Sequence, residues 1–126
     1  MEKNKKKIVI IENNEDLVEI LRDNLLDEEF LVFTITKSHD ALNFLKKEDR
    51  VDIVITDLGM PVIGDCELLE QLSLLKSQKH FAMVVMTGDQ DFDQEEAKKR
   101  GCDAFLLKPF GLEHILWIET CLFTNY

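Results

Sequence analysis

The chain has 126 residues, a length suited to about one domain, and a formal net charge of −10 that repels the polyanionic surfaces of DNA, RNA and acidic lipid. Its three cysteines, Cys66, Cys102 and Cys121, are odd in number, far apart and without a CxxC pair, which argues against a disulfide framework or a zinc site. No apolar run approaches the roughly 18 residues of a membrane span and no signal-peptide core is present, so the composition reads as a cytoplasmic protein with a core of ordinary size.

Strand-like and helix-like segments then alternate. The basic run Lys3 to Lys7 reads as a solvated arm over residues 1–6, ahead of a short β-branched strand from Ile8 to Ile11. Glu15 to Leu26 has helical spacing, with Leu17, Ile20, Leu21, Asn24 and Leu25 on one face. Asn13 or Asn14 is placed to cap it, and Glu15 and Asp16 complement the first-turn dipole. Phe30 to Thr36 reads as a second strand. Ser38 is the expected cap of a helix to about Lys46 that turns Ala41, Leu42 and Leu45 inward. A third strand, Ile53 to Thr56, precedes a helix from about Cys66 to Lys76. Phe81 to Met86 reads as a fourth strand and Phe92 to Arg100 as a polar helix that Gly101 closes. Ala104 to Leu107 is the fifth strand, and Leu112 to Phe123 the last helix. His39, His80 and His114 lack metal-ligand spacing and read as surface residues.

Continuous apolar strands separated by helices imply a parallel sheet covered on both faces, and right-handed crossovers make it a doubly wound α/β domain. Ligands of such domains lie beyond the carboxyl ends of the strands. Glu12, Asn13, Asp57, Thr87 and Lys108 all fall at such ends, so one rim collects carboxylates, a hydroxyl and an ammonium. That set suits reception of a phosphoryl group.

These stretches resemble the receiver domain of two-component response regulators, the CheY-like superfamily. KIVIIENNEDL matches the acidic start, VDIVITDLGMP the phosphoacceptor strand and loop, VVMTG the hydroxyl strand, and GCDAFLLKPF the lysine strand. The resemblance covers nearly the whole chain and implies a flavodoxin-like (βα)5 domain with strand order 2-1-3-4-5, as a single receiver over residues 1–126 with no output domain. It implies that Asp57 accepts a phosphoryl group, since a carboxylate can act as nucleophile toward phosphorus. Thr87, followed by Gly88, would hydrogen-bond a phosphoryl oxygen. Lys108 would neutralise another and pair with Asp57 before modification. Pro109 matches a proline that is cis in the family.

By the same resemblance Mg²⁺ would be held by Glu12, Asn13, Asp57 and the backbone carbonyl of Gly59, an oxygen donor set that suits the ion. Asn13 departs from the family, which usually has Asp there; the missing charge predicts weaker Mg²⁺ binding. Gly64-Asp65 departs from the usual Asp-Gly order after Pro61; Asp65 reads as a helix cap. Phe105 stands at the family's switch aromatic and would follow Thr87. Gly59 and Asp89 stand at variable positions that tune the lifetime of the phosphoaspartate.

The implied partners are a sensor histidine kinase or phosphotransfer protein, and a downstream target or second copy at the face of the fourth helix, fifth strand and fifth helix. Trp117 and Ile118, beside the inward stripe of the last helix, would contribute to an apolar patch there. The alternative is a pseudo-receiver, a binding module without phosphorylation, which Asn13 favours. Neither reading makes the chain an enzyme beyond its own phosphorylation and dephosphorylation. A phosphatase of the haloacid dehalogenase type would need an Asp at Gly59. A flavodoxin-like carrier would need a Ser/Thr/Gly-rich loop where Glu12-Asn13-Asn14 stands.

Overall fold

The computed structural model describes residues 6–25, 30–59 and 68–108. Strand β1 (Lys6–Ile11) is followed by α1 (Glu15–Leu25), β2 (Phe30–Ile35), α2 (Ser38–Lys47) and β3 (Ile53–Asp57). Then come α3 (Leu68–Lys79), β4 (Ala82–Thr87), α4 (Gln94–Lys99) and β5 (Ala104–Leu107). The strands form one five-stranded sheet in the order β2-β1-β3-β4-β5, with every pairing parallel. The expected last helix, with Trp117, Ile118 and Cys121, lies outside the described residues, as do Pro61, Gly64, Asp65, Cys66, Pro109 and His114.

Side chains alternate across a strand, so each buried strand serves two cores. Val9, Ile11, Val54, Met83 and Val85 face Ala41, Leu42 and Leu45 of α2, Leu68, Leu69, Leu72 and Leu75 of α3, and Ala97 of α4. Ile8, Ile10, Ile53, Ile55, Val84 and Met86 face the other way, where Leu21 and Leu17 of α1 pack. Both faces are apolar, which is why these strands read as unbroken hydrophobic runs rather than as alternation.

Several local expectations change. β1 takes in Lys6 and Lys7, so the basic run is not all arm: the Lys7 ammonium pairs with Glu48 at 2.7 Å and lies 5.8 Å from the Phe33 ring centre. On α1 Val18 is buried along with Leu21, whereas Ile20 is 57% exposed; a turn of 3.6 residues carries position 20 off the stripe of Leu17 and Leu21. Asn14 is the cap, its Oδ1 accepting from the Leu17 amide at 3.2 Å. Ser38 is not a cap: Lys37 holds that position with extended backbone, and Ser38 is the first residue of α2, buried.

α4 begins after Phe92, which is buried ahead of the cap; Asp93 Oδ1 accepts from the Glu96 amide at 2.8 Å. Exposed His80 follows α3 with a left-handed φ of 59° while its amide still donates to the Lys76 carbonyl at 2.8 Å, so it ends the helix.

Gly101 bears out the expected helix stop. Its φ is +80°, and a Cβ built there would come within 2.7 Å of Ser73 Oγ. A side chain in this backbone region costs about 1–2 kcal/mol. Gly101→Ala should therefore lower the unfolding free energy by about 1–2 kcal/mol plus the cost of moving the Ser73 hydroxyl. Chemical denaturation of Gly101→Ala with and without Ser73→Ala separates the terms: the second substitution should recover only the clash.

Cys102, next in the chain, is buried, and burial pushes its thiol up to about 11. The Arg100 and Lys76 charges oppose the shift, and Asp103 adds to it. Folding thus holds the thiol protonated, and only about one in a thousand is thiolate at pH 8. In a Cys66→Ser/Cys121→Ser chain, Ellman's reagent at pH 8 should label Cys102 on the order of a hundredfold more slowly when folded than in denaturant.

Candidate functional site

The parallel register decides which residues meet. Ile11 pairs with Thr56, Asp57 with Met86 and Thr87 with Leu107, so each of β1, β3, β4 and β5 runs out within one residue of its neighbour in the sheet. The residues at or just past those ends are Glu12, Asn13, Asp57, Thr87 and Lys108. The loops are tied across the rim: the Leu58 amide donates to the Met86 carbonyl at 2.8 Å and the Lys108 amide to the Thr87 carbonyl at 2.7 Å.

The Lys108 ammonium sits between two carboxylates. It lies 3.1 Å from Glu12 Oε1 and 3.3 Å from Asp57 Oδ2. Glu12 is 1% exposed, and its other oxygen accepts from the Asn14 amide at 3.0 Å. A buried carboxylate is stable only with such partners. Asp57 is more open, and its Oδ1 accepts from the Gly59 amide at 3.0 Å. Each carboxylate is thus held by one ammonium and one backbone N–H, and Asp57 is fixed with its oxygens toward the loops.

Thr87 is buried, and its Oγ1 accepts from the Asp89 amide at 3.0 Å, which leaves the hydroxyl proton to donate elsewhere. The Asp89 carboxylate accepts from the Asp91 amide at 2.9 Å, so it shapes its own loop. Gly88 and Gly59 are exposed; a Cβ at Gly88 would meet nothing within 4 Å, whereas one at Gly59 would lie 3.6 Å from Asp57 Oδ1. The absence of a side chain at Gly59 keeps the approach to the Asp57 oxygen open.

Phe105 is half-buried, packed against the α2–α3 core and edge-on to Phe92, with ring centres 5.4 Å apart. It is paired in register with Val85, two residues from Thr87 on β4. This is a partner that sequence spacing alone did not supply.

Asn13 is exposed on the loop after β1. Among the described residues no three His, Cys, Asp or Glu side chains converge on a point that could hold a metal ion. Glu12 and Asp57 supply two carboxylates where an Asp at position 13 would have supplied a third. The donors expected from sequence, the side chains of Glu12, Asn13 and Asp57 and the Gly59 carbonyl, are all hard oxygens and fit Mg²⁺ in kind, with less charge. The link of Glu12 to Lys108 spans 96 positions and had no sequence signal. Neither did Gln90, whose Nε2 lies 3.4 Å from the carbonyls of both Gly88 and Lys108 and bridges two loops of the rim.

The chain is 28% identical over 107 residues to the alkaline phosphatase synthesis transcriptional regulatory protein PhoP of Bacillus subtilis, covering 84% of this chain and 43% of PhoP. It is 25% identical to the polar-differentiation response regulator DivK of Brucella anthropi, covering 91% of this chain and 92% of DivK. Several curated relatives are thus about twice its length, and DivK is nearly matched end to end. Among solved structures, the receiver domain of the sensor histidine kinase PA1611 from Pseudomonas aeruginosa superposes with a TM-score of 0.79. The two are 16% identical, and the match covers 96% of this chain and 99% of that one; magnesium is coordinated in its active-site cleft. Residues 8–118 match the model of the response regulator receiver domain, and with the sheet order and the rim geometry in agreement the chain belongs to that family.

Proposed function

We propose that the chain accepts a phosphoryl group on Asp57 from a sensor histidine kinase or phosphotransfer protein, and signals through the changed surface at α4 and β5. The observation that carries this reading is Lys108 Nζ at 3.3 Å from Asp57 Oδ2 with the Thr87 hydroxyl on the next strand end. Asp57 Oδ attacks phosphorus, the P–O bond to Asp57 forms as the bond to the donor breaks, and the donor leaves with its electron pair. Lys108 offsets the negative charge that gathers, and Thr87 donates its free hydroxyl proton to a phosphoryl oxygen.

Mg²⁺, when bound, neutralises charge on the phosphoryl oxygens. Glu12, Asn13, Asp57 and the Gly59 carbonyl are the donors offered to it, and the Pseudomonas receiver with magnesium in its cleft supports the same location here. Movement of Thr87 toward the phosphoryl group would pull β4 against β5, where Phe105 leans on Phe92 at the start of α4. The chain acts on itself alone in this scheme, without turnover of a second substrate.

A second reading, the pseudo-receiver, draws on Asn13. A unit charge about 4 Å away is worth up to roughly 4 kcal/mol at an effective dielectric near 20, and its removal weakens the hold on a divalent cation.

Incubation with acetyl phosphate over a range of Mg²⁺, read by intact mass, separates the two. The wild-type chain should gain one phosphoryl group and Asp57→Asn none; no gain at any Mg²⁺ concentration would leave the binding module as the better reading. Restoring the charge with Asn13→Asp should lower the Mg²⁺ needed for half-maximal phosphorylation about tenfold, since exposure of the site screens part of the Coulomb term. An unchanged requirement would show that position 13 does not face the cation.

A further inference from the structure

The seam between α3 and α4 holds a cavity of about 450 Å³, a size found among small-molecule sites. It is lined by Leu69, Glu70, Ser73 and Leu74 of α3 and by Lys99 and Arg100 at the end of α4. The cavity is separate from the rim. α4 leads into β5 through Asp103, whose amide donates to the Met83 carbonyl at 2.8 Å. Lys99 and Arg100 therefore stand toward the amino ends of β4 and β5, whereas Asp57, Thr87 and Lys108 stand at the carboxyl ends.

Three kinds of polar group converge on this cavity. Exposed Lys99 brings an ammonium, exposed Glu70 a carboxylate and half-buried Ser73 a hydroxyl. Among the described residues no side chain or carbonyl partners any of the three, so opposite charges line one cavity without pairing. Arg100, braced by Glu96 at 3.7 Å, adds a second positive charge on the Lys99 side. A Cβ built on Gly101 would lie 2.7 Å from Ser73 Oγ, so the serine hydroxyl is turned toward the end of α4. Leu69 is buried beneath, and Leu74, 66% exposed, forms an apolar lip.

This pattern selects a ligand that carries both charges. A plain anion would meet Glu70 and a chain with a net charge of −10, and a plain cation would meet Lys99 and Arg100. We propose that the α3–α4 cavity binds a zwitterionic amino acid with an apolar side chain. Lys99 takes the ligand carboxylate with Arg100 alongside, and the Ser73 hydroxyl donates to the same group. Glu70 accepts from the ligand ammonium, and the ligand side chain lies on Leu69 and Leu74. The site is independent of phosphorylation at Asp57.

Titration of L-leucine into the full chain, read by backbone amide shifts in NMR spectra, tests this. Two capped relatives run beside it: N-acetyl-leucine lacks the ammonium, and leucinamide lacks the carboxylate. A small open site predicts a Kd for leucine in the millimolar range. Saturable shifts should centre on residues 69–74 and 98–102, and each capped compound should bind about tenfold more weakly through loss of one charge-assisted contact. Glu70→Gln should weaken leucine about tenfold but change N-acetyl-leucine by less than about threefold. Lys99→Gln should weaken leucine similarly and spare leucinamide. Both positions are exposed, and a wild-type-like amide spectrum verifies that each variant is folded.

Absence of saturable shifts at leucine concentrations well above that range would overturn the proposal. So would N-acetyl-leucine binding as tightly as leucine, which would make the cavity a surface for acidic groups alone. A Glu70→Gln loss that falls equally on leucine and N-acetyl-leucine would overturn it too, since Glu70 would then not be reading the ammonium.

Discussion

Everything at the site depends on the parallel register of four strands. Because β1, β3, β4 and β5 each end within a residue of the neighbouring strand, polar residues that are 96 positions apart in the chain come within hydrogen-bond distance at one rim. A parallel pair cannot be joined by a tight turn, so each strand end opens into a loop before its helix. The loops carry the candidate site residues, and the strands beneath them are packed on both faces. A one-residue shift would exchange the two cores along a whole strand.

The electrostatics of the rim follow from burial. Glu12 is withdrawn from water and would not tolerate isolation, so it draws in Lys108 and the Asn14 amide. Lys108 in turn cannot satisfy Glu12 without also facing Asp57. Asp57, the proposed phosphoacceptor, thus faces a positive charge before any partner arrives, which would reduce the reorganisation required during transfer. Among the described residues no buried side-chain nitrogen or oxygen lacks a hydrogen-bond partner, so the whole polar rim is satisfied as it stands. Asn13 is the exception in kind: it sits exposed, neutral and on the side where the family usually places a charge.

Most of the fold could be read in advance because its signals are local and strong. β-branched runs between helical repeats, an Asn and a Gly at helix ends, and the order of strand and helix all follow from short-range preferences. The errors were also local. Ser38 reads as a cap by residue type, but the chain enters α2 one residue earlier and buries the serine. Ile20 reads as core by hydrophobicity, yet the helix phase gives that place to Val18. Lys6 and Lys7 read as arm by charge, although β2 and Glu48 offer enough partners to extend the strand over them. For the two lysines, neighbours distant in sequence outweighed a weak local preference.

By itself the sequence determined the class of the molecule and the candidate trio of Asp57, Thr87 and Lys108, because residue types at the ends of apolar strands are legible from order alone. It also exposed the missing charge at Asn13. Only the tertiary structure decided how those residues share their charges: that Lys108 serves Glu12 as well as Asp57, that the Asp89 amide occupies an acceptor site of Thr87, and that Phe105 leans on Phe92. The physical reason is one of range. Propensity and patterning act over a few residues, whereas an ion pair is chosen by distance and burial after the strands have come together.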